Sequence, residues 1–293
     1  MKHVDLIKVI QKEYNKMSKG HKLIAEYVIK HYDTAAFMTA ADLGNKVGVS
    51  ESTVVRFANF LGYAGYRELQ KELQELIKSK LTTVQRISMS TTDFIGYENI
   101  LKEVVKKDIS NIENILDEID FNVFREAIKV ILQSKTVYVL GLRSSSFLAG
   151  YLGFYLNFLL DNVKVISAGP NDVFEQLLKL SSEDVIIGIS YPRYSNRTLE
   201  ALDFAKSKGA KIISITDSLI SPINQYSDYA LLASSNILSF VDSLVAPMSL
   251  INALIIAIGT EKGDQITSYF EDLENIWEKY HIYMTNNNNN HRD

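Results

Sequence analysis

The chain contains no cysteine. That alone excludes disulfides and thiolate-bound metals, and it fits a reducing compartment. Histidine is scarce and poorly placed for chemistry. Of His3, His21, His31, His281 and His291, none lies between residues 32 and 280. A Ser-His-Asp relay there lacks its base unless His281 folds back, and a His-ligated metal site lacks its ligands. No H-E-x-x-H, Walker A or EF-hand pattern occurs. Neither a metal nor a cofactor is therefore expected. Long apolar runs are missing too. The longest, 147–160 and 245–259, fall short of the roughly 20 residues that span a bilayer and read as buried helices. The polar start, Met1-Lys2-His3-Val4-Asp5, carries no leader pattern. These absences predict a cytoplasmic protein with no membrane partner.

What is present is divided unevenly. The chain has 293 residues, a length that favours two domains, and 46% of them are hydrophobic, enough for ordinary cores. Residues 1–80 hold 13 Lys and Arg against 9 Asp and Glu, a net of +4, and the remainder holds 18 against 26, a net of −8. A basic head on an acidic body suits contact with double-stranded DNA, although a +4 head is also compatible with no partner at all.

Texture along the chain sharpens the division. Apolar residues at helical spacing fill 4–77 and predict helices near 4–14, 19–31, 39–46, 51–61 and 65–78. A polar, Ser/Thr-rich, poorly periodic stretch follows and is read as a linker over 80–96. The domain limits are thus 1–79 for the helical head and 97–285 for the body, with a low-complexity, disordered tail at 286–293. Within the body, helices are expected at 97–117 and 122–133. Short β-branched runs at 137–140, 163–167, 185–189, 211–216 and 229–233 then alternate with helical stretches at 145–160, 172–180 and 196–208. This predicts an α/β body: a five-stranded parallel sheet flanked by helices, closed by helices at 242–259 and 264–281.

The head contains Thr39-Ala40-Ala41-Asp42-Leu43-Gly44-Asn45-Lys46-Val47-Gly48-Val49-Ser50-Glu51-Ser52-Thr53-Val54-Val55-Arg56-Phe57. Leu43 and Val47 turn one helix inward, Gly48 permits a tight turn, and Val49 plugs the angle. Ser50 is a suitable N-cap for a second helix. Val54, Phe57 and Leu61 share the buried face, with Gly62 as the C-cap, which leaves Ser50, Ser52, Thr53 and Arg56 to the outside. Small hydroxyls and one arginine near a helix N-terminus suit the major groove. A plain helical hairpin would share the periodicity. Arg67 stands between phosphate contact and an ordinary surface role.

In the body, two strand ends open into hydroxyl-rich loops: Gly141-Leu142-Arg143-Ser144-Ser145-Ser146 and Ser190-Tyr191-Pro192-Arg193-Tyr194-Ser195. Serine hydroxyls, backbone N–H groups and helix N-termini around one point suit a phosphate. Ser145, Ser190 and Ser195 are the candidate donors. Arg143 and Arg193 are candidate counter-charges, with Arg197 beside them. Ser145 and Ser195 would also serve simply as helix caps, and Arg193 would also suit solvent. A dinucleotide site fails, since arginine and serine stand where the second and third glycines belong and Ser167-Ala168-Gly169 offers no acid for a ribose.

These motifs resemble the RpiR type of transcriptional regulator, a helix–turn–helix domain joined to a sugar isomerase (SIS) domain. Val47 to Phe57, the following Leu61-Gly62-Tyr63 and Gly65-Tyr66-Arg67-Glu68-Leu69 carry the first part, and residues 136–234 carry the second. The resemblance implies that Ser145, Ser190 and Ser195 bind the phosphate of a phosphorylated sugar. It also implies a homodimer or homotetramer that regulates carbohydrate genes. The chain departs from the SIS pattern at Arg143, commonly glycine, and in the second loop, commonly Ser-x-Ser-Gly-x-Ser/Thr. The departures leave the ligand open between a sugar phosphate and another anion.

Three functions follow as expectations. The first is a DNA-binding regulator whose affinity a phosphosugar modulates, with no catalytic residue. The second is an aldose–ketose isomerase, which needs an acid or base at the sugar. The stretch 201–260 has no Glu or His, and Asp217, Asp228 and Asp242 stay open as candidates. The third is a structural interaction module with a vestigial site.

Overall fold

The computed structural model describes residues 6–77, 83–90, 96–219, 221–235 and 239–284. The expected tail, and residues 80–82 and 91–95 of the expected linker, lie outside the described residues. The chain divides into two compact units, Met1–Arg86 and Ile87–Asp293. The division falls inside the stretch read as a linker. That stretch is not simply loop, because it holds a helix over Thr83–Ser90. Its spacing over eight residues is amphipathic, a run too short for periodicity to register against so many hydroxyls.

The first unit is helical. α1 (Leu6–Glu13) ends in a 3₁₀ turn, and α2 (Lys19–Lys30), α3 (Tyr32–Ala35), α4 (Ala40–Val47), α5 (Glu51–Phe60) and α6 (Tyr66–Ile77) follow. Ile10, Ile24, Leu43, Phe57, Leu69 and Leu73 fill the core. Caps set the boundaries. The Thr39 hydroxyl accepts from the Asp42 N–H at 3.1 Å and Asp42 accepts from the Thr39 N–H at 3.3 Å, a reciprocal box at the head of α4. Tyr66 anchors α6 from inside by donating to the Met38 carbonyl at 2.8 Å. Burial, with Asp42 nearby, pushes its phenol up to about 12.

α7 (Thr83–Ser90) straddles the division, and the second unit continues with α8 (Tyr97–Glu118) and α9 (Phe121–Gln133). Then come β1 (Val137–Gly141), α10 (Ser145–Leu159), β2 (Val163–Ile166), α11 (Val173–Gln176) and β3 (Val185–Ile189). α12 (Asn196–Ser207), β4 (Lys211–Thr216), β5 (Tyr229–Leu232), α13 (Val245–Lys262) and α14 (Asp264–Lys279) complete it. The five strands form one parallel sheet in the order β2-β1-β3-β4-β5. β1 and β3 are buried throughout, which explains their unbroken apolar sequences. Alternate residues serve two cores. Val137, Val139, Val185, Ile187 and Ile189 face α9, α10 and α13, while Tyr138, Leu140 and Ile186 face α11 and α12.

Two expected helices differ from those found. The stretch 172–180 holds only one turn, Val173–Gln176. Asp172 and Glu175 cap its start, and the Gln176 amide turns back to the Ser167 and Asn171 carbonyls. α13 begins at Val245 and runs to Lys262, past the expected end at 259, and stops where Gly263 takes φ +55°. It is long and apolar enough to cross a bilayer. In the fold it packs against α8, α9 and α10, burying Ala246, Leu250, Leu254 and Ile258 at helical spacing.

Candidate functional site

In the first unit, α4 and α5 are joined by a tight turn at Gly48, which takes φ +77°, the left-handed region that closes a helix. α5 buries Val54, Phe57 and Ala58 and leaves Ser50, Ser52 and Arg56 exposed, with Thr53 half-buried. The residues picked out from the sequence thus share one outward surface. Their bonding differs from the expectation in one respect. Ser50 occupies the cap position, but its hydroxyl makes no cap bond. It pairs with the Ser52 and Thr53 hydroxyls, each at 2.9 Å. Arg56 lies back along the helix, donating to Thr53 at 3.3 Å and Ser52 at 3.5 Å. A shallow depression of about 440 Å³ runs along Glu51, Ser52, Val55 and Arg56. Arg67 is exposed on the first turn of α6. Behind α5, His21 meets Phe57 and Phe60 ring to ring at 5.7 and 5.4 Å. Desolvation, then the Arg56 charge, lowers its pKa.

In the second unit, strand order positions the site. From β1 the chain passes through α10 to β2 on one side, and from β3 through α12 to β4 on the other. Between β1 and β3 the direction reverses, and crevices at such points are where open parallel sheets take ligands. Gly141 pairs with Ile189, so the two serine loops leave the sheet side by side. The first is an elbow that needs glycine: a Cβ on Gly141 would stand 2.4 Å from the Ser145 carbonyl oxygen. Arg143 turns that elbow with φ +57° and is exposed. The left-handed region disfavours side chains, which accounts for the glycine common at this position in the resembling pattern. Ser145 opens α10 and is buried, and the Ser146 hydroxyl donates to the Arg143 carbonyl at 2.6 Å.

The second loop starts at buried Ser190, whose carbonyl accepts from the Thr216 hydroxyl of β4 at 2.8 Å. Ser195 takes the cap position of α12, yet its hydroxyl makes no cap bond. A capping role for Ser195 is therefore not what the geometry displays. Arg193 is exposed between them. Arg197 is withdrawn from the loop: it pairs with Asp172 and Glu200 and lies over the Phe174 ring at 4.5 Å. The Phe174 N–H and Arg197 together hold the Asp172 carboxyl below its ordinary value.

Four further residues belong to this region. The Thr198 hydroxyl, in the first turn of α12, is buried and has no partner among the described residues. Tyr194 donates to Asp217 at 2.8 Å, tying the second loop to the end of β4. Burial, then Asp217, raises the Tyr194 pKa. Tyr191 lies in the core, and its hydroxyl has no partner among the described residues. Asp217 drew notice in the sequence only as a leftover acid. Its place directly after a strand was the available signal, since the logic that marked the ends of β1 and β3 applies to β4. Among the described residues no three His, Asp or Glu side chains group as a metal site would require.

Two family models match this chain: the rpiR-family helix-turn-helix domain over residues 4–80 and the SIS domain over 130–257. The chain belongs to the RpiR family of transcriptional regulators. An uncharacterized HTH-type transcriptional regulator of Haemophilus influenzae is 27% identical over 75% of this chain and 76% of its own length. The sugar isomerase domain of an RpiR transcription factor from Sphaerobacter thermophilus is 26% identical, with TM-score 0.57, over 59% of this chain and 97% of that one. The Vibrio vulnificus NanR protein, solved with ManNAc-6P, shares the fold along nearly the whole length. Its TM-score is 0.56 at 18% identity, covering 96% of this chain and 100% of that one. As an RpiR-family member the chain pairs a DNA-binding head with an SIS body, which gives the two candidate surfaces distinct tasks.

Proposed function

We propose that this regulator binds operator DNA through α5, using Ser50, Ser52, Thr53 and Arg56, with Arg67 on the flanking phosphate backbone. A phosphorylated sugar held between the β1 and β3 loops shifts that affinity. Ser145, Ser190 and Ser195 are the phosphate donors, and Arg143 and Arg193 the counter-charges at the rim. The observation that carries the reading is the pair of hydroxyl loops at adjacent strand ends of a reversing sheet, with Ser195 not spent on its own helix. NanR, which shares the fold, is bound to a phosphorylated amino sugar in its structure, and this supports the class of ligand.

The protein acts as a dimer or tetramer in this reading. α10 carries Phe147 and Phe154 at 74% and 56% exposure, and α8 carries Leu101 and Leu116 at 66% and 74%. Apolar faces of that kind are covered in a working protein. We assign no catalytic role. The relatives this chain resembles are named as transcriptional regulators, which supports that reading.

The test is calorimetry of Ser190→Ala and Ser195→Ala with the best-binding phosphosugar and its dephosphorylated counterpart. Loss of one donor to a charged acceptor should weaken the phosphosugar about ten- to a hundredfold and leave the counterpart nearly unchanged. Equal losses for both compounds would refute the cradle. Turnover of hexose or pentose phosphates by the purified protein, abolished by Asp217→Asn, would favour the isomerase.

A further inference from the structure

Tyr191 is 4% exposed, and its hydroxyl has no hydrogen-bond partner among the described residues. A buried hydroxyl left unpaired is destabilising, and a phenylalanine of the same shape would avoid the penalty. Fold stability therefore gives no account of this oxygen. Its neighbourhood does. Tyr191 follows Ser190 directly, at the root of the second loop. Ser190 donates its N–H to the Ile215 carbonyl at 3.2 Å and its carbonyl accepts from the Thr216 hydroxyl at 2.8 Å, and Tyr194 donates to Asp217 at 2.8 Å, so Tyr191 and Asp217 leave adjacent strand ends side by side. Burial, then Asp217, raises the Tyr191 pKa well above the ordinary phenol value, so the group is a proton donor at neutral pH.

The ends of β3 and β4 thus bring together a neutral phenol and a carboxylate. That pair is wrong for phosphate, because a carboxylate repels a second anion. It is right for a hydroxylated carbon chain, whose O–H groups donate to a carboxylate and accept from a phenol. The serine hydroxyls of the two loops offer donors without negative charge. The arrangement sorts a ligand end from end, phosphate toward the serines and hydroxyls toward Asp217.

We propose that Tyr191 and Asp217 read the hydroxylated body of the effector, with Tyr191 the specificity-determining residue. The assignment rests on the phosphosugar reading above and adds to it which groups select among phosphorylated polyols.

The test uses the full chain and two kinds of probe: inorganic phosphate, read by competition, and a panel of hexose 6-phosphates that includes N-acetylmannosamine 6-phosphate. Tyr191→Phe should leave the ligand-free melting temperature unchanged or raised. It should also weaken the best hexose phosphate about three- to tenfold, while phosphate binding stays within twofold. Asp217→Asn should weaken the hexose phosphate about tenfold or more and leave phosphate equal or tighter. Ser190→Ala should weaken both probes together. A lower melting temperature in Tyr191→Phe would mean that a buried water or the protein satisfies the hydroxyl, and would overturn the proposal. So would undiminished hexose phosphate binding in that variant. Failure of every phosphorylated probe to bind the unsubstituted protein is a different result, and it would overturn the effector reading itself.

Discussion

The elbow after β1 can be broken by one carbon atom. A Cβ on Gly141 would lie 2.4 Å from the Ser145 carbonyl oxygen, 2.9 Å from its carbon and 2.8 Å from the Ala149 Cβ. Two of the three are backbone atoms, and the helix they belong to is packed on the sheet, so no flexible side chain can yield. Relief requires α10 to lift away from β1. Overpacking of this kind costs about 1–3 kcal/mol and occasionally more, and a backbone clash at two points belongs at the upper end. For a unit of this size, each kcal/mol moves the melting temperature by roughly 2–4 °C. Gly141→Ala should therefore lower the main transition by about 4–12 °C. Gly259→Ala is the control. It adds the same atom inside α13, where the nearest neighbour, Ile266 Cδ1, is 3.9 Å away. Helix propensity makes that change neutral or stabilising by up to about 1 kcal/mol. The assay is differential scanning calorimetry of the full chain at fixed protein concentration, with phosphosugar affinity measured on the folded variant. Because the lift moves Ser145 relative to Ser190, affinity should fall with stability. A Gly141→Ala protein that melts within a degree or two of the unsubstituted chain would refute the close approach on which the site geometry depends.

Two other outcomes follow from the head. Arg56→Ala should weaken specific operator binding, and Arg67→Ala should weaken all sequences alike and reduce the salt slope by about one, both read by fluorescence anisotropy across a salt series. The depressed pKa of His21 means the unfolded chain binds the extra proton more readily. The head should lose stability as pH falls through the unperturbed value near 6.5, and thermal melts of His21→Asn should lack that part of the slope.

Much of this could be read directly from residue types and spacing. Alternating β-branched runs announced five strands because β1 and β3 are buried on both faces and admit little else. Gly48 and the Val54–Phe57 spacing announced the turn and the inward face of α5. Other features depend on contacts distant in sequence, to which periodicity is blind. Ser50 and Ser195 stand at helix starts, where a cap is the ordinary expectation. In the folded protein neither hydroxyl is used that way. The Tyr194–Asp217 bond spans 23 residues, and the isolation of the Tyr191 hydroxyl is a property of everything packed around it. Arg197, counted with the loop by its position, is claimed by Asp172 on another element.

The order of strands also bears on how the chain acquires its shape. β1 is an interior strand of the sheet, yet one of its two neighbours, β3, begins 48 residues later. The first unit ends at Arg86, so all of its chain leaves synthesis before β1 begins. Local helical contacts form in microseconds to milliseconds, whereas pairings across long loops are slower, and synthesis adds only about 5–20 residues per second. A nascent chain would then carry a finished head for several seconds before β3 emerges to complete the centre of the sheet. During that interval the surface on α5 exists and the crevice between the serine loops does not. The surface proposed to touch DNA is thus assembled before the crevice proposed to take the effector.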